Sequence, residues 1–178
     1  MPRMTIDHTA APERVEPSTT ADERQALEQW LDYHRATLAT KCAGLTDAQV
    51  RTASAPPSAL SLLGLVRHMA EVERGWFRKV LAGEETTWLY ATEEDFDRDI
   101  HTTAEDTYAE AYAVWQAEIA RAREIAAGRS LDDLGAGVHH SGELFNLRWI
   151  YLHMIEEYAR HNGHADLIRE RIDGATGV

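Results

Sequence analysis

The sequence holds one cysteine among 178 residues, so no internal disulfide is available and a reducing compartment is the natural home. It has no run approaching the roughly 18 apolar residues that span a bilayer. The first twenty residues, MPRMTIDHTAAPERVEPSTT, contain no apolar core of a secretory signal. The chain is therefore expected in the cytoplasm and away from membranes. Basic residues are scarce, 18 Lys and Arg against 30 Asp and Glu, for a formal net charge of −12. Nucleic-acid binding depends on cations that neutralise phosphates, so that class of partner is not expected. No Gly-rich phosphate loop and no Gly-x-Ser-x-Gly elbow occurs, which excludes the most recognisable nucleotide and serine-hydrolase signatures.

Hydrophobic residues make up 44% of the chain and charged residues 27%, ordinary for a globular protein of one domain. Five Trp and six Tyr supply large core pieces. Pro2, Pro12 and Pro17, mixed with Thr, Ala and charges, mark residues 1–19 as a mobile arm ahead of a domain over 20–178. Four long segments follow with helical periodicity. The first runs from about Thr20 to Cys42, with Leu27, Trp30, Leu31, His34, Leu38 and Cys42 on one face, and stops at Gly44. Thr46 and Gln49 predict a capped extra turn before Pro56-Pro57 breaks the chain. The second runs from Ser58 or Ser61 to Leu81, the third from about Thr103 to Ala127, and the fourth from about Leu147 to Ile172. Long connections over 84–102 and 128–143 separate the last three. The prediction is an all-α four-helix bundle.

Chemistry concentrates on the fourth helix. At about 100° per residue, His153, Glu157, His161 and His164 fall within an arc of roughly 80°. His161 lies inside the apolar stripe of Leu147, Ile150, Met154, Tyr158, Ala165 and Ile168, and Glu157 lies beside it. A carboxylate and an imidazole four residues apart next to a core need a partner, and a metal ion satisfies both. The plainer alternative is hydrogen bonding among themselves and with Arg148 or Arg160. A third ligand would come from His34, His68, His101, His139 or His140. Periodicity slightly favours His34, in mid-stripe, over His68, at the edge of its own.

Glu73 falls in the apolar stripe of the second helix among Val66, Met69, Trp76 and Val80, and pairing with Arg35 or Arg148 is the expected solution. His34 could bridge to it. His139-His140 could overhang the site from its loop, and Cys42 reads as a buried structural thiol.

Three stretches together carry a family resemblance. They are Trp30-Leu-Asp-Tyr-His34-Arg35, Pro56-Pro-Ser-Ala-Leu-Ser-Leu-Leu-Gly-Leu-Val-Arg-His68-Met-Ala-Glu-Val-Glu73, and Ile155-Glu-Glu157-Tyr-Ala-Arg160-His161-Asn-Gly-His164. From about residue 22 onward the chain resembles the DinB-like superfamily, in particular its actinobacterial mini-circle-type branch. The resemblance implies a four-helix bundle, often dimeric, with one metal held by His68, Glu157 and His161. Many relatives have His where Glu157 stands. A Glu there is similar to mycothiol-dependent maleylpyruvate isomerase, whose further C-terminal domain this sequence does not contain, so its particular reaction is not carried over.

Two His and one carboxylate suit zinc, with nickel next, and three protein ligands leave a position open. The expected activity is that of a thiol S-transferase or isomerase joining a low-molecular-weight thiol, mycothiol, to an electrophile. Arg160 and His164 are the candidates for contacting the thiol. The alternatives are a metal-dependent hydrolase and a non-catalytic, stress-associated metal-binding dimer. Trp149, Leu152 and Leu167 point away from the core stripe of the fourth helix and predict a homodimer surface.

Overall fold

The computed structural model of the protein describes residues 13–177. The arm expected over 1–19 therefore lies mostly outside the described residues. Of its described part, Arg14 sets its guanidinium over the Tyr33 ring at 4.8 Å, and the Ser18 amide donates to Gln29 Oε1 at 2.8 Å.

The described chain is all-helical, apart from an isolated bridge between Leu134 and Asn146. Helix α1 covers Glu23–Cys42, the short α2 Asp47–Val50, α3 Leu62–Glu73, α4 Tyr108–Ala126 and α5 Leu147–Asp173. Each starts on a side-chain cap: Asp22, Thr46, Ser61, Thr107 and Asn146 each accept a hydrogen bond from the backbone amide three residues on. These caps satisfy amides that have no partner inside the helix. Thr46 and Gln49 complete the expected reciprocal box. At the far end of α5, Gly174 takes the left-handed conformation (φ 77°) that ends the helix.

Helix α5 packs along α1 and α3, and α4 packs along α3. Leu31, Leu38, Leu65, Met69, Trp115, Ile119, Met154 and Tyr158 meet in the middle, almost fully excluded from water. No helix among the described residues is long and apolar enough to cross a membrane.

The second predicted helix does not run unbroken to Leu81. After Glu73 it continues as a π-helix over Arg74–Leu81, with the Ala82 amide bonded to the Phe77 carbonyl five residues back. In this wider winding Phe77 fills the core, where the 3.6-residue period had placed Trp76, and Trp76 stays half-buried. The carbonyls of Val80 and Leu81 accept hydrogen bonds from Gly137 and Ala136. That docking needs glycine: a Cβ on Gly137 would stand 1.8 Å from the Lys79 carbonyl oxygen. Trp30, expected on the buried face of α1, is 46% exposed beside Tyr33 and His34.

Glu73 settles its burial as an ion pair. Arg35 donates from Nε to Oε1 at 2.8 Å and from Nη2 to Oε2 at 2.7 Å, and the Tyr158 hydroxyl donates to Oε1 at 2.8 Å. Trp115 in turn donates to the Tyr158 oxygen at 2.8 Å. Arg148 takes no part, because its guanidinium is engaged by Glu23 and Asp132. Neither does His34, whose polar neighbour is Asn162. This network ties α1, α3, α4 and α5 at one level of the bundle. Cys42 is buried beside Tyr108, and burial pushes its thiol up to about 12, which fits an inert structural role.

Candidate metal centre

Helix α5 presents Glu157 and His161 one turn apart, as the periodicity requires, and α3 brings His68 against them. The ring centroids of His68 and His161 are 4.8 Å apart, and His161 Nε2 lies 3.4 Å from Glu157 Oε2. One ligand atom from each of His68, Glu157 and His161 lies within 4.8 Å of the others, a set that could hold one ion. His34, which periodicity slightly favoured, is elsewhere. It stands on α1 between Trp30 and Asn162, so a central place on an apolar stripe was a packing signal.

His68 owes its aim to a residue that sequence reading missed. Asp99 Oδ2 lies 2.8 Å from His68 Nδ1, so Nδ1–H donates to the carboxylate and Nε2 is the nitrogen left for a ligand. A carboxylate behind a ligand imidazole fixes its tautomer and orientation and raises its basicity. Asp99 is itself buried, with Oδ1 accepting from the Ile100 amide at 2.9 Å. It reaches His68 because Gly64, one turn before His68 on α3, admits the chain there. A Cβ on Gly64 would meet the Ile100 carbonyl oxygen at 2.9 Å. Arg67 braces the same turn by donating to the Arg98 carbonyl at 2.7 Å. An acidic connection between helices carries many carboxylates, and nothing in their spacing singles out Asp99.

Burial, followed by the neighbouring His68, His164 and Arg160, pushes His161 down to about 4, and Asp99 acts weakly the other way. His161 is therefore neutral at physiological pH, the form a ligand imidazole needs. Among the fourth-helix candidates, His164 places Nδ1 3.3 Å from His161 Nδ1. Arg160 is exposed and turned back onto Glu156 and Glu157. His153 places Nε2 3.9 Å from Glu157 Oε1, so the Glu157 carboxylate stands between two imidazoles. His153, Glu156 and Glu157 form a second set of possible ligands that shares Glu157 with the first. His153 is also held between rings, stacked on Trp149 at 4.9 Å and edge-on to Trp76 at 4.6 Å.

Of the loop histidines, His101 pairs with Asp95 at the surface. His139 stacks on Trp76 at 5.2 Å, and His139 and His140 border the same cleft as His68.

The donor chemistry fits a divalent transition ion. Two imidazoles and a carboxylate suit zinc or nickel, and the buried Asp99 supplies the outer hydrogen bond that such ligands use.

A conserved protein from Enterococcus faecalis of known crystal structure is similar in fold, with a TM-score of 0.58 and 17% identity over 87% of this chain and 99% of that one. No curated protein sequence matches the chain. The sequence model of the mycothiol-S-transferase family matches residues 26–174, a span that takes in α1 from Ala26 onward, all the later helices and the whole His–Glu–His group. The chain belongs to the mycothiol-S-transferase family of DinB-like proteins.

Proposed function

We propose that this protein is a metal-dependent thiol S-transferase that uses mycothiol, with His68, Glu157 and His161 holding one divalent ion. The observation that carries the reading is the His68–Asp99 pair: a ligand imidazole with its far nitrogen locked, facing a neutral imidazole and a carboxylate in a chain of this family. A divalent ion at these ligands acts as a Lewis acid that makes a thiol ionise at neutral pH.

The chain's own residues do the rest. Asp99 holds His68 in one tautomer, so Nε2 stays directed at the ion position. Burial keeps His161 unprotonated. Glu157 supplies the negative charge that offsets a cation. Among the described residues the group has three members, which leaves room for an exogenous ligand and favours an open site over a closed structural one. The thiolate sulfur forms a bond to the electrophilic carbon. The leaving group departs with the displaced electron pair, or in an addition the adjacent carbon takes up the proton that the thiol gave up. His164, next to His161, and the exposed Arg160 would contact the thiol's polar portions.

Zinc is the first choice of ion and nickel the second. The protein acts in the cytoplasm as a homodimer. The test is consumption of mycothiol with a simple alkylating electrophile by zinc-loaded protein, compared with protein stripped by chelator and reloaded. Activity lost on stripping and restored by zinc supports the reading. Equal rates in all three states exclude it.

A further inference from the structure

Beside His68 lies a cleft of about 360 Å³, floored by α3 and the π-helix and bordered by loop residues from 86–99 and 138–140. Its aromatic lining is unusually open for large side chains. Trp88 is 51% exposed and Phe96 66%, set edge to face at 5.5 Å, and Trp76 lines the cleft from the π-helix. Aromatic rings clustered in a cleft are the lining that small-molecule pockets use to bury a flat ligand.

Both borders are pinned. Glu71 accepts from the Tyr90 and Ala91 amides at 2.6 and 3.2 Å, and Arg74 donates to the Thr87 carbonyl at 3.1 Å. Trp88 is thus clamped on either side by two residues one turn apart on the same helix. Across the cleft, Gly137 docks its loop on the π-helix. A backbone held this way on both sides of Trp88 leaves less to be ordered when a flat partner binds.

The charges of the cleft are unequal in availability. Glu71 Oε1 accepts both amides, Asp99 faces His68 and the Ile100 amide, and Arg74 is engaged by Glu118 and Thr87. Lys79 is exposed and makes no ion pair among the described residues, so it is the cation of the lining left free to meet an acidic group. Eleven positions separate His68 from Lys79, about 16 Å at an α-helical rise and somewhat less through the π segment.

We infer that this cleft is the electrophile's pocket and that it selects an elongated aromatic anion. The flat body lies among Trp76, Trp88 and Phe96, an acidic group sits on Lys79, and the reactive carbon lies toward His68. The inference rests on the S-transferase reading, and its test is a binding measurement without thiol.

Metal-loaded protein is titrated calorimetrically with 2-naphthoate, the neutral 2-naphthalenemethanol and the cationic 2-naphthylmethylamine. Naphthoate should bind about tenfold more tightly than the alcohol, the value of one charge-assisted contact, and the amine most weakly. Lys79→Ala should abolish the preference while leaving the alcohol's affinity unchanged, and Trp88→Ala should weaken all three. Chelator-stripped protein should keep the preference, because Lys79 and not the ion reads the charge. Equal affinity for the three probes, no binding of any, or a preference that survives Lys79→Ala overturns the inference. So does a preference that disappears on stripping, since the carboxylate would then sit on the ion. Failure here with zinc-dependent mycothiol consumption intact strikes the cleft alone.

Discussion

Asp99 and His68 meet at 2.8 Å because Gly64 lets the Ile100 backbone come within 2.9 Å of where a Cβ would stand. The site thus depends on a residue with no side chain. Gly64→Ala should improve intrinsic helix propensity by about 1 kcal/mol. It should nonetheless lower both stability and metal affinity, because the added methyl meets backbone that must move. Asp99→Ala should lower metal affinity by about 10- to 100-fold while leaving the bundle folded. Competition with a chelating dye measures both. Unchanged affinity in the two variants would show that His68 needs no support from behind.

Arg35→Met should destabilise the protein by about 3–5 kcal/mol, since it strands the Glu73 carboxylate in a site closed to water. Urea unfolding reads the loss. Combining it with Glu73→Leu should recover much of the stability, because the uncompensated charge is then gone, although the Tyr158 hydroxyl loses its acceptor. A double variant no better than Arg35→Met would mean that Glu73 carries no net charge in the fold.

Protonation supplies a separate check. His161 sits near 4 in the fold against an ordinary 6.5, so the unfolded chain binds more protons between those values. The stability of metal-free protein should therefore hold above pH 6.5 and fall as the pH drops toward 4. His34, also lowered by burial, adds a slope of the same sign. The comparison with His161→Asn isolates the His161 part: the variant should lose less stability over that window. Parallel curves would contradict the assignment of His161 as a buried neutral imidazole.

Trp149, Leu152 and Leu167 remain exposed on α5, outside the face used for the core. A homodimer covering them should appear in light scattering at tens of micromolar protein, and Leu152→Glu with Leu167→Glu should convert it to monomer. A single-chain mass for the unaltered protein would remove the dimer.

Much of this was legible in the sequence, for reasons that differ by residue. Some helix limits followed from local signals such as the Thr46 cap and the stop at Gly44, whereas the Asn146 cap of α5 was not picked out. Glu157 and His161 were legible because one helix sets both. His68 could be ranked only by family resemblance, since the periodicity of α3 does not say which helix it faces. Asp99 was invisible because its role depends on a loop crossing α3 at Gly64. Trp76 and Phe77 exchanged expected places because a π-helical stretch breaks the 3.6 period, and no residue pattern announced it.

The proposed three-ligand ion has a free position that a thiol occupies. Its most direct measurement is the absorption spectrum of cobalt-substituted protein on addition of a thiol. A thiolate-to-cobalt charge-transfer band should appear with a small thiol and at lower concentration with mycothiol, and His161→Ala, having lost the ion, should show none. Cobalt demonstrably held at His68, Glu157 and His161, with a spectrum that no thiol perturbs, would contradict the account.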